Sequence, residues 1–442
     1  MIAVVTCPSC WHRFDPGAAC FIAEHAALIG DPVLGPDESL RFHPTRLDGL
    51  GRALDPEGAL CSRVACPRCH LELPHAALEL RTLMVSAIGA PASGKSHLLA
   101  AATWRLRRLA AAGGPEFEDA DPTLNATLHA QESALFLPCA AARDGFAIPV
   151  LPKTETGGSR LYREVLVQGQ VESLPVPLLF VVGAGRERRL LVLQDNAGEH
   201  FLPGRDRAAR DATGHLGRGD AILVVLDPLQ DHRFRRAAGV GDGAAGIRIA
   251  ERQELVVTEA AGRIRRLSGI ESGTRIARPV VVALTKADLW QHLLPDVDLA
   301  SPPLRSLRRE TAAVAAASLS RVAGGDAERD GEADAALSRE AGGAETRREP
   351  LGLDAVRLRQ ADERCSALLA AHSPEIAAAL NAAFEHPRLV PVSALGRSPI
   401  WIEGERGASL GVPAKEIQPR WAEVPLLMLL ACAERSSQER GA

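Results

Sequence analysis

The chain has 442 residues, of which 46% are hydrophobic and 24% charged, with a formal net charge of -4. That length suggests two or three domains, or one large domain carrying insertions, and the apolar fraction is ample for a core. An aromatic content of 4% with a single tyrosine argues against an extended base-stacking surface, and the charge balance gives no general attraction to nucleic acid or an anionic membrane.

The first segment, Met1 to Thr6, reaches a cysteine pair before it could build a signal peptide, and the longest late apolar run, Val424 to Ala431, is too short to span a bilayer. A cytoplasmic protein is therefore expected. Nine cysteines in a chain this long do not make a disulfide scaffold; their spacing points to metal. Cys7-Pro8-Ser9-Cys10 and Cys66-Pro67-Arg68-Cys69 are two C-P-x-C turns, each presenting two thiolates to one side. Together they predict a tetrahedral Zn²⁺ site with Cys7, Cys10, Cys66 and Cys69 as ligands. Two redox pairs are the rival reading, but neither lies in a thioredoxin-like βαβ context. Cys20, Cys61, His70 and His75 are alternative ligands read as bystanders. The segment between the turns, about 55 residues and longer than the usual spacing, is expected to be an insertion looped out from a small zinc ribbon. Its Arg41 to Arg46 stretch reads as an irregular connector, with a binding surface as the alternative. Residues 1–80 would form this ribbon region, and a closed four-cysteine site would serve local folding.

Gly89-Ala90-Pro91-Ala92-Ser93-Gly94-Lys95-Ser96 follows an apolar strand, Leu83 to Ile88, and opens onto a helix, His97 to Ala112. This is the strand–G-x-x-x-x-G-K-[ST]–helix order of a phosphate-binding loop. Backbone N–H groups and the helix N-terminus would cradle phosphate, Lys95 would reach the β- and γ-phosphates, and the Ser96 hydroxyl would join a Mg²⁺ shell. A chance glycine-rich turn is the bland alternative. Gly113-Gly114-Pro115 stops the helix, and Asp121 to Phe136 reads as another, with Asp121 as N-cap. In the polar loop Lys153 to Gly158, Thr154 and Thr156 are both candidates for a Mg²⁺-binding switch threonine.

Two strands follow, Val176 to Val182 and Arg189 to Gln194, joined by a hairpin turn at Gly183 to Arg186. The second delivers Asp195-Asn196-Ala197-Gly198-Glu199-His200. Asp195 at the strand end suits a Mg²⁺-water contact, and the Gly198 N–H could then reach the γ-phosphate. Ala221 to Leu226 is a buried strand ending at Asp227-Pro228. Arg233, Arg235 and Arg236 read as a solvated face rather than a phosphate or partner contact, and Ala250 to Leu267 as a helix. The strand Pro279 to Leu284 delivers Thr285-Lys286-Ala287-Asp288. A carboxylate at Asp288 would accept from N1–H and N2 of guanine, a donor pair adenine lacks, while Lys286 would lie along the base. Leu389 to Leu395 is a last strand, whose Ser393-Ala394 end could bind the guanine O6 through the Ala394 N–H.

Between these elements, residues 301–350 are rich in Ala, Arg and Glu and read as a flexible or loosely helical insertion. Helices are expected at Leu353 to Ala371 and Pro374 to Phe384, with Val424 to Ala431 as a closing helix and a frayed tail from Ser436.

In order, Gly89–Ser96, Asp195–Gly198, Thr285–Asp288 and Ser393–Ala394 resemble the elements of TRAFAC-class P-loop GTPases. The two cysteine turns before the loop, Asp195–Glu199, Leu226-Asp227-Pro228 and the Trp421 to Leu430 segment make the chain look like the bacterial double-GTPase families. The resemblance implies an α/β P-loop NTPase, a three-layer sandwich with a mostly parallel sheet, over residues 81–435. It implies GTP/GDP with Mg²⁺ at Gly89, Ser93, Gly94, Lys95, Ser96, His97, Asp195, Gly198, Thr285, Lys286, Asp288, Ser393 and Ala394. It also implies a regulatory switch acting beside protein partners, among them a second GTPase, in a bacterial conflict or defence system. Glu199 stands where many small GTPases carry a water-orienting glutamine, so Glu199 or His200 would support hydrolysis beside Lys95, or a partner would supply an arginine. The rivals are a non-hydrolysing nucleotide-dependent scaffold, an ATPase, and nucleic-acid binding by the ribbon.

Overall fold

A computed structural model describes residues 4–137, 147–149, 162–196, 198–201, 213–241, 252–306, 351–404, 407–413 and 417–439. The central sheet and its helices run β1 (Arg81–Gly89), α1 (Lys95–Ala111), β2 (Phe117–Asp119), α2 (Ala126–Phe136), β3 (Leu178–Val182), β4 (Arg189–Asp195) and β5 (Ala221–Leu226). They continue with α3 (Gln253–Ser268), β6 (Val280–Leu284), α4 (Ala355–His372), α5 (Pro374–Ala383), β7 (Arg388–Pro391) and α6 (Val424–Glu439). The seven strands lie in the order β2-β3-β4-β1-β5-β6-β7. β4, β1, β5, β6 and β7 are mutually parallel, while β3 runs antiparallel to both β4 and β2. This is a mixed α/β architecture with a mostly parallel sheet.

Strands β5 and β6 are buried at every position, as befits parallel strands covered on both faces. Helix α3 buries Val256, Val257, Ala260, Ala261 and Ile264, one stripe at helical spacing, and ends where Gly269 adopts φ 66°. Helix α4 starts where the Asp354 carboxylate accepts from the Val356 and Arg357 amides.

Strands β1, β3 and β4 divide their side chains with period two. Leu83, Val85, Ala87, Phe180, Leu191 and Leu193 enter the main core shared with the helices. Met84, Leu179, Leu190 and Val192 enter a second core with Val5, Cys7, Cys10, Trp11, Phe14, Cys66 and Cys69. The cysteine-bearing segment thus covers one face of the sheet. An antiparallel hairpin, Tyr162–Val167 with Gln170–Pro175, closes its flank through an Arg68–Glu172 ion pair of 2.6 Å.

Several expectations need correction. The segment between the cysteine turns is not looped out: Cys20–Ile22 pairs with Val64–Ala65 on one side and Arg41–Phe42 on the other, in a four-stranded sheet. The helix predicted from Asp121 begins at Ala126, because the Asp121 carboxylate caps a turn by accepting from the Thr123 amide at 2.7 Å. Of the three arginines read as a solvated face, Arg235 is buried and donates to the Leu229 carbonyl, and Arg233 pairs with Asp231 and Glu375. The closing helix continues past Ser436 to Glu439. Most of the 301–350 stretch, residues 307–350, lies outside the described residues; its flanks pair as Leu304–Ser306 with Leu351–Leu353. Among the described residues, no helix is long and apolar enough to cross a membrane.

Candidate functional site

The two C-P-x-C turns have one backbone design. The Trp11 amide donates to the Cys7 carbonyl and the Cys7 amide to the His12 carbonyl; His70 to Cys66 and Cys66 to Leu71 repeat the pattern, at 2.9–3.0 Å throughout. Trp11 and His70, each following the second cysteine, take φ of 58° and 59°. This left-handed residue turns the chain back beneath its thiols. The four sulfurs lie within 4.8 Å of one another and are buried, with Cys7–Cys69 at 3.8 Å and Cys10–Cys66 at 3.7 Å. A tetrahedral ion with metal–sulfur bonds of about 2.3 Å sets sulfurs about 3.8 Å apart, so the cluster fits a metal such as zinc.

Burial pushes the Cys7 thiol well above its usual range, whereas hydrogen bonds from the neighbouring thiols, Cys66 foremost, hold Cys10 down. One thiolate can be stabilised by its neighbours, but four buried thiolates require a cation. Cys20, His70 and His75 make other contacts: Cys20 with His43, His70 with Asp31, and His75 with the Ser62 carbonyl.

The second constellation lies along the carboxyl edge of the parallel strands. The chain leaves β1 toward β4 and leaves β5 toward β6, so their ends flank the crevice where open α/β sheets bind ligands. Gly94 (φ 87°) is the N-cap of α1 and offers no side-chain cap to its first turn. Lys95, buried, bonds through Nζ to Asp195 Oδ1 and to the Asn196 carbonyl, and Ser96 Oγ donates to Asp195 Oδ2 at 3.2 Å. A Cβ at Gly198 would lie 2.6 Å from Pro91 N and 2.8 Å from the Ala90 carbonyl carbon, so only glycine lets this turn close on the loop. The Ser93 hydroxyl is buried with no hydrogen-bond partner among the described residues.

From β6, the Thr285 hydroxyl donates to the Ser93 carbonyl at 2.8 Å, tying this strand end to the loop. Lys286 takes φ 56°, and its ammonium pairs with Asp227 at 2.6 Å. Burial raises the Asp227 carboxyl despite that ammonium, and Gln253 on α3 holds the Asp227 backbone from both sides. Ser393 Oγ donates to Asp288 Oδ1 at 2.5 Å, while burial pushes the Asp288 carboxyl upward. The Ser393 and Arg420 backbones bond reciprocally at 2.9 and 2.8 Å, with Ala394 following half-buried. His97 is held neutral, its pKa pushed down to about 4 by burial and by the Lys286 ammonium.

The fold therefore brings Lys95 and Ser96 to Asp195, Thr285 to Ser93, and Asp288 to Ser393. Thr154 and Thr156 lie outside the described residues, as do the side chains of Glu199 and His200, whose backbone forms a 3₁₀ turn over Gly198–Phe201.

No family model matches the chain. Over 171 residues it is 28% identical to a Mycolicibacterium smegmatis protein described as "Putative ESX-1 scaffolding and assembly protein SaeC". The match covers 38% of this chain and 39% of that relative, so the chain spans about two fifths of the relative it matches.

Sequence reasoning missed a buried polar set beside the loop. Asn196 Nδ2 lies 2.6 Å from His215 Nε2, and His215 Nδ1 lies 2.7 Å from Ser86 Oγ on β1. Gln194 on β4 donates from Nε2 to the Pro8 carbonyl at 2.6 Å. Gln194 and Ser86 had a legible signal, each being a polar residue inside an otherwise apolar strand. His215 had none.

Proposed function

We propose that the chain binds GTP with Mg²⁺ at the Gly89–Ser96 loop and hydrolyses it slowly as a regulatory switch, on a P-loop NTPase fold with an N-terminal zinc ribbon. The observation that carries this reading is the meeting of Lys95 and Ser96 with Asp195, about 100 residues later in the chain, at the ends of two adjacent parallel strands. An ammonium, a hydroxyl and a carboxylate in this register are what a triphosphate with its metal requires. The start of α1, which has no side-chain cap, and the Ser93 hydroxyl, unpartnered among the described residues, add donors for phosphate oxygens.

Triphosphate binding would draw the Lys95 ammonium from Asp195 and the Asn196 carbonyl to phosphate oxygens. Bound Mg²⁺, reached by the Ser96 hydroxyl and through water by Asp195, would offset negative charge on the β- and γ-phosphates. Lys95 and the loop amides would then stabilise charge that develops as water attacks the γ-phosphate. Asp288, half-buried and oriented by Ser393, would select guanine, and Lys286, fixed by Asp227, would lie along the base. The backbone turn at Gly198, pressed on Ala90 and Pro91, is the element that would report the γ-phosphate. The resemblance to double-GTPase families supports a protein partner for that switch.

A second reading, a nucleotide-dependent scaffold without turnover, is favoured by the relative's description as a scaffolding and assembly protein. Titration of the purified full chain with Mg²⁺-GTP and Mg²⁺-ATP, followed by phosphate-release assay, tests both. The GTPase reading expects GTP to bind at least about a thousandfold tighter than ATP, since adenine lacks the donor pair that the half-buried Asp288 carboxylate would accept from, and to be hydrolysed. Equal affinity would overturn guanine selection, and tight binding with no phosphate release would favour the scaffold.

A further inference from the structure

The first cysteine turn does not only hold metal ligands; it forms one wall of the segment that follows β4. The Pro8 carbonyl, between Cys7 and Cys10, accepts from Gln194, the residue before Asp195. The Trp11 carbonyl accepts from Arg218 Nη1 at 2.8 Å. The Trp11 ring is buried against Gly214, where a Cβ would come within 2.5 Å of its Cζ3, and lies 6.0 Å from the His215 ring. His215, fully buried, then bridges Asn196 and Ser86. The amide nitrogen of Asn196 can only donate, so Nε2 of His215 accepts and Nδ1 carries the proton given to Ser86 Oγ. The Asn196 carbonyl in turn accepts from Lys95. Arg278 fixes the turn between, donating to the Leu216 and Gly217 carbonyls at 2.6 and 2.9 Å.

We propose that Gln194 and the Trp11–His215–Asn196 stack are positioning residues through which the four-cysteine centre sets the Asp195–Asn196 backbone, so that metal retention at the cysteines and triphosphate binding at Lys95 are coupled. The nucleotide half of this proposal rests on the GTP reading above; the structural half does not. The physical basis is the contiguity of buried, shape-constrained contacts from the first cysteine turn to the carbonyl that holds Lys95. Coupling of this kind is reciprocal: if metal organises the Lys95 site, nucleotide at that site raises metal affinity by the same factor.

Two measurements on the full zinc-loaded chain decide it. In hydrogen exchange, removing zinc with a chelator accelerates exchange over residues 192–200 as well as over the cysteine turns. His215→Ala produces the 192–200 effect alone, with zinc content and the 64–73 turn unchanged, and His215→Gln, which can keep one of the two hydrogen bonds, restores part of the protection. Unchanged exchange at 192–200 after zinc removal overturns the proposal. In the second measurement, Mg²⁺ with a non-hydrolysable GTP analogue raises zinc affinity, read at equilibrium against a competing chelator, about tenfold, within the usual span of coupling energies. His215→Ala reduces that to less than about twofold. An equal rise in zinc affinity in wild type and His215→Ala overturns the relay. If direct titration shows no analogue binding, the GTP reading falls while the exchange experiment still decides the structural coupling.

Discussion

The two cysteine turns share a backbone and differ in what stands behind them. The second, Cys66 to Leu71, looks outward to its own module: His70 bonds Asp31, and Arg68 pairs with Glu172 on the flanking hairpin. The first, Cys7 to His12, looks inward: Pro8 meets Gln194, and Trp11 meets Gly214, His215 and Arg218. Identical local chemistry therefore serves two tasks. One turn closes the four-thiol cluster, and the other joins that cluster to the strand end carrying Asp195. A motif read only for its ligands misses the second task, because it resides in the residues between and after the cysteines.

Substitutions can break this comparison at three levels. The largest effect is expected from Cys10→Ser, which removes one thiol of the cluster that both turns share. A structural zinc site contributes about 10 kcal/mol or more in small peptides. The variant should lose its metal and the cooperative melting of residues 4–80, as followed by metal analysis and calorimetry. Lys95→Ala comes next and acts on the far side of the junction alone. Truncating one partner of a buried charge pair costs about 2–5 kcal/mol, so GTP affinity should fall by roughly 30-fold to several thousandfold, while zinc content stays at one per chain. The pair with the smallest effect on nucleotide binding, and the most discriminating one, is Trp11→Ala against His70→Ala. Loss of a buried indole costs about 3–5 kcal/mol and should weaken GTP binding as well. Loss of the His70–Asp31 hydrogen bond costs about 1–3 kcal/mol and should leave GTP affinity unchanged. Equal effects of the two on nucleotide binding would erase the distinction between the turns.

Much of this arrangement was legible in the sequence because the relevant residues sit at fixed short spacings beside strongly apolar strands. Ala221 to Leu226 could be read to the residue, since an unbroken apolar run bounded by aspartates has few other uses. The four thiols were legible from two Cys-Pro-x-Cys repeats. The insertion between them was misjudged because the strands that tie it into the four-stranded sheet are two or three residues long, below the length at which alternation can be read. Arg235 looked like part of a charged face, yet a single buried guanidinium with a carbonyl partner leaves no periodic trace. The Ser86–His215–Asn196 bridge joins residues up to 129 positions apart through single hydrogen bonds. Nothing in local composition marks such a set; only the sheet order, which brings β1 beside both β4 and β5, creates it.

The central claim, guanine nucleotide recognition at the edge shared by the Gly89–Ser96 loop and Asp288, is tested most directly by one titration. Wild type and Asp288→Asn are compared with GTP and XTP in the presence of Mg²⁺. Xanthine replaces the N2 amine of guanine with a carbonyl, which a carboxylate repels and an amide nitrogen can donate to. Wild type should bind GTP and discriminate against XTP, and Asp288→Asn should reverse that preference while retaining Lys95-dependent triphosphate affinity. An unchanged preference in the variant would contradict base recognition at Asp288.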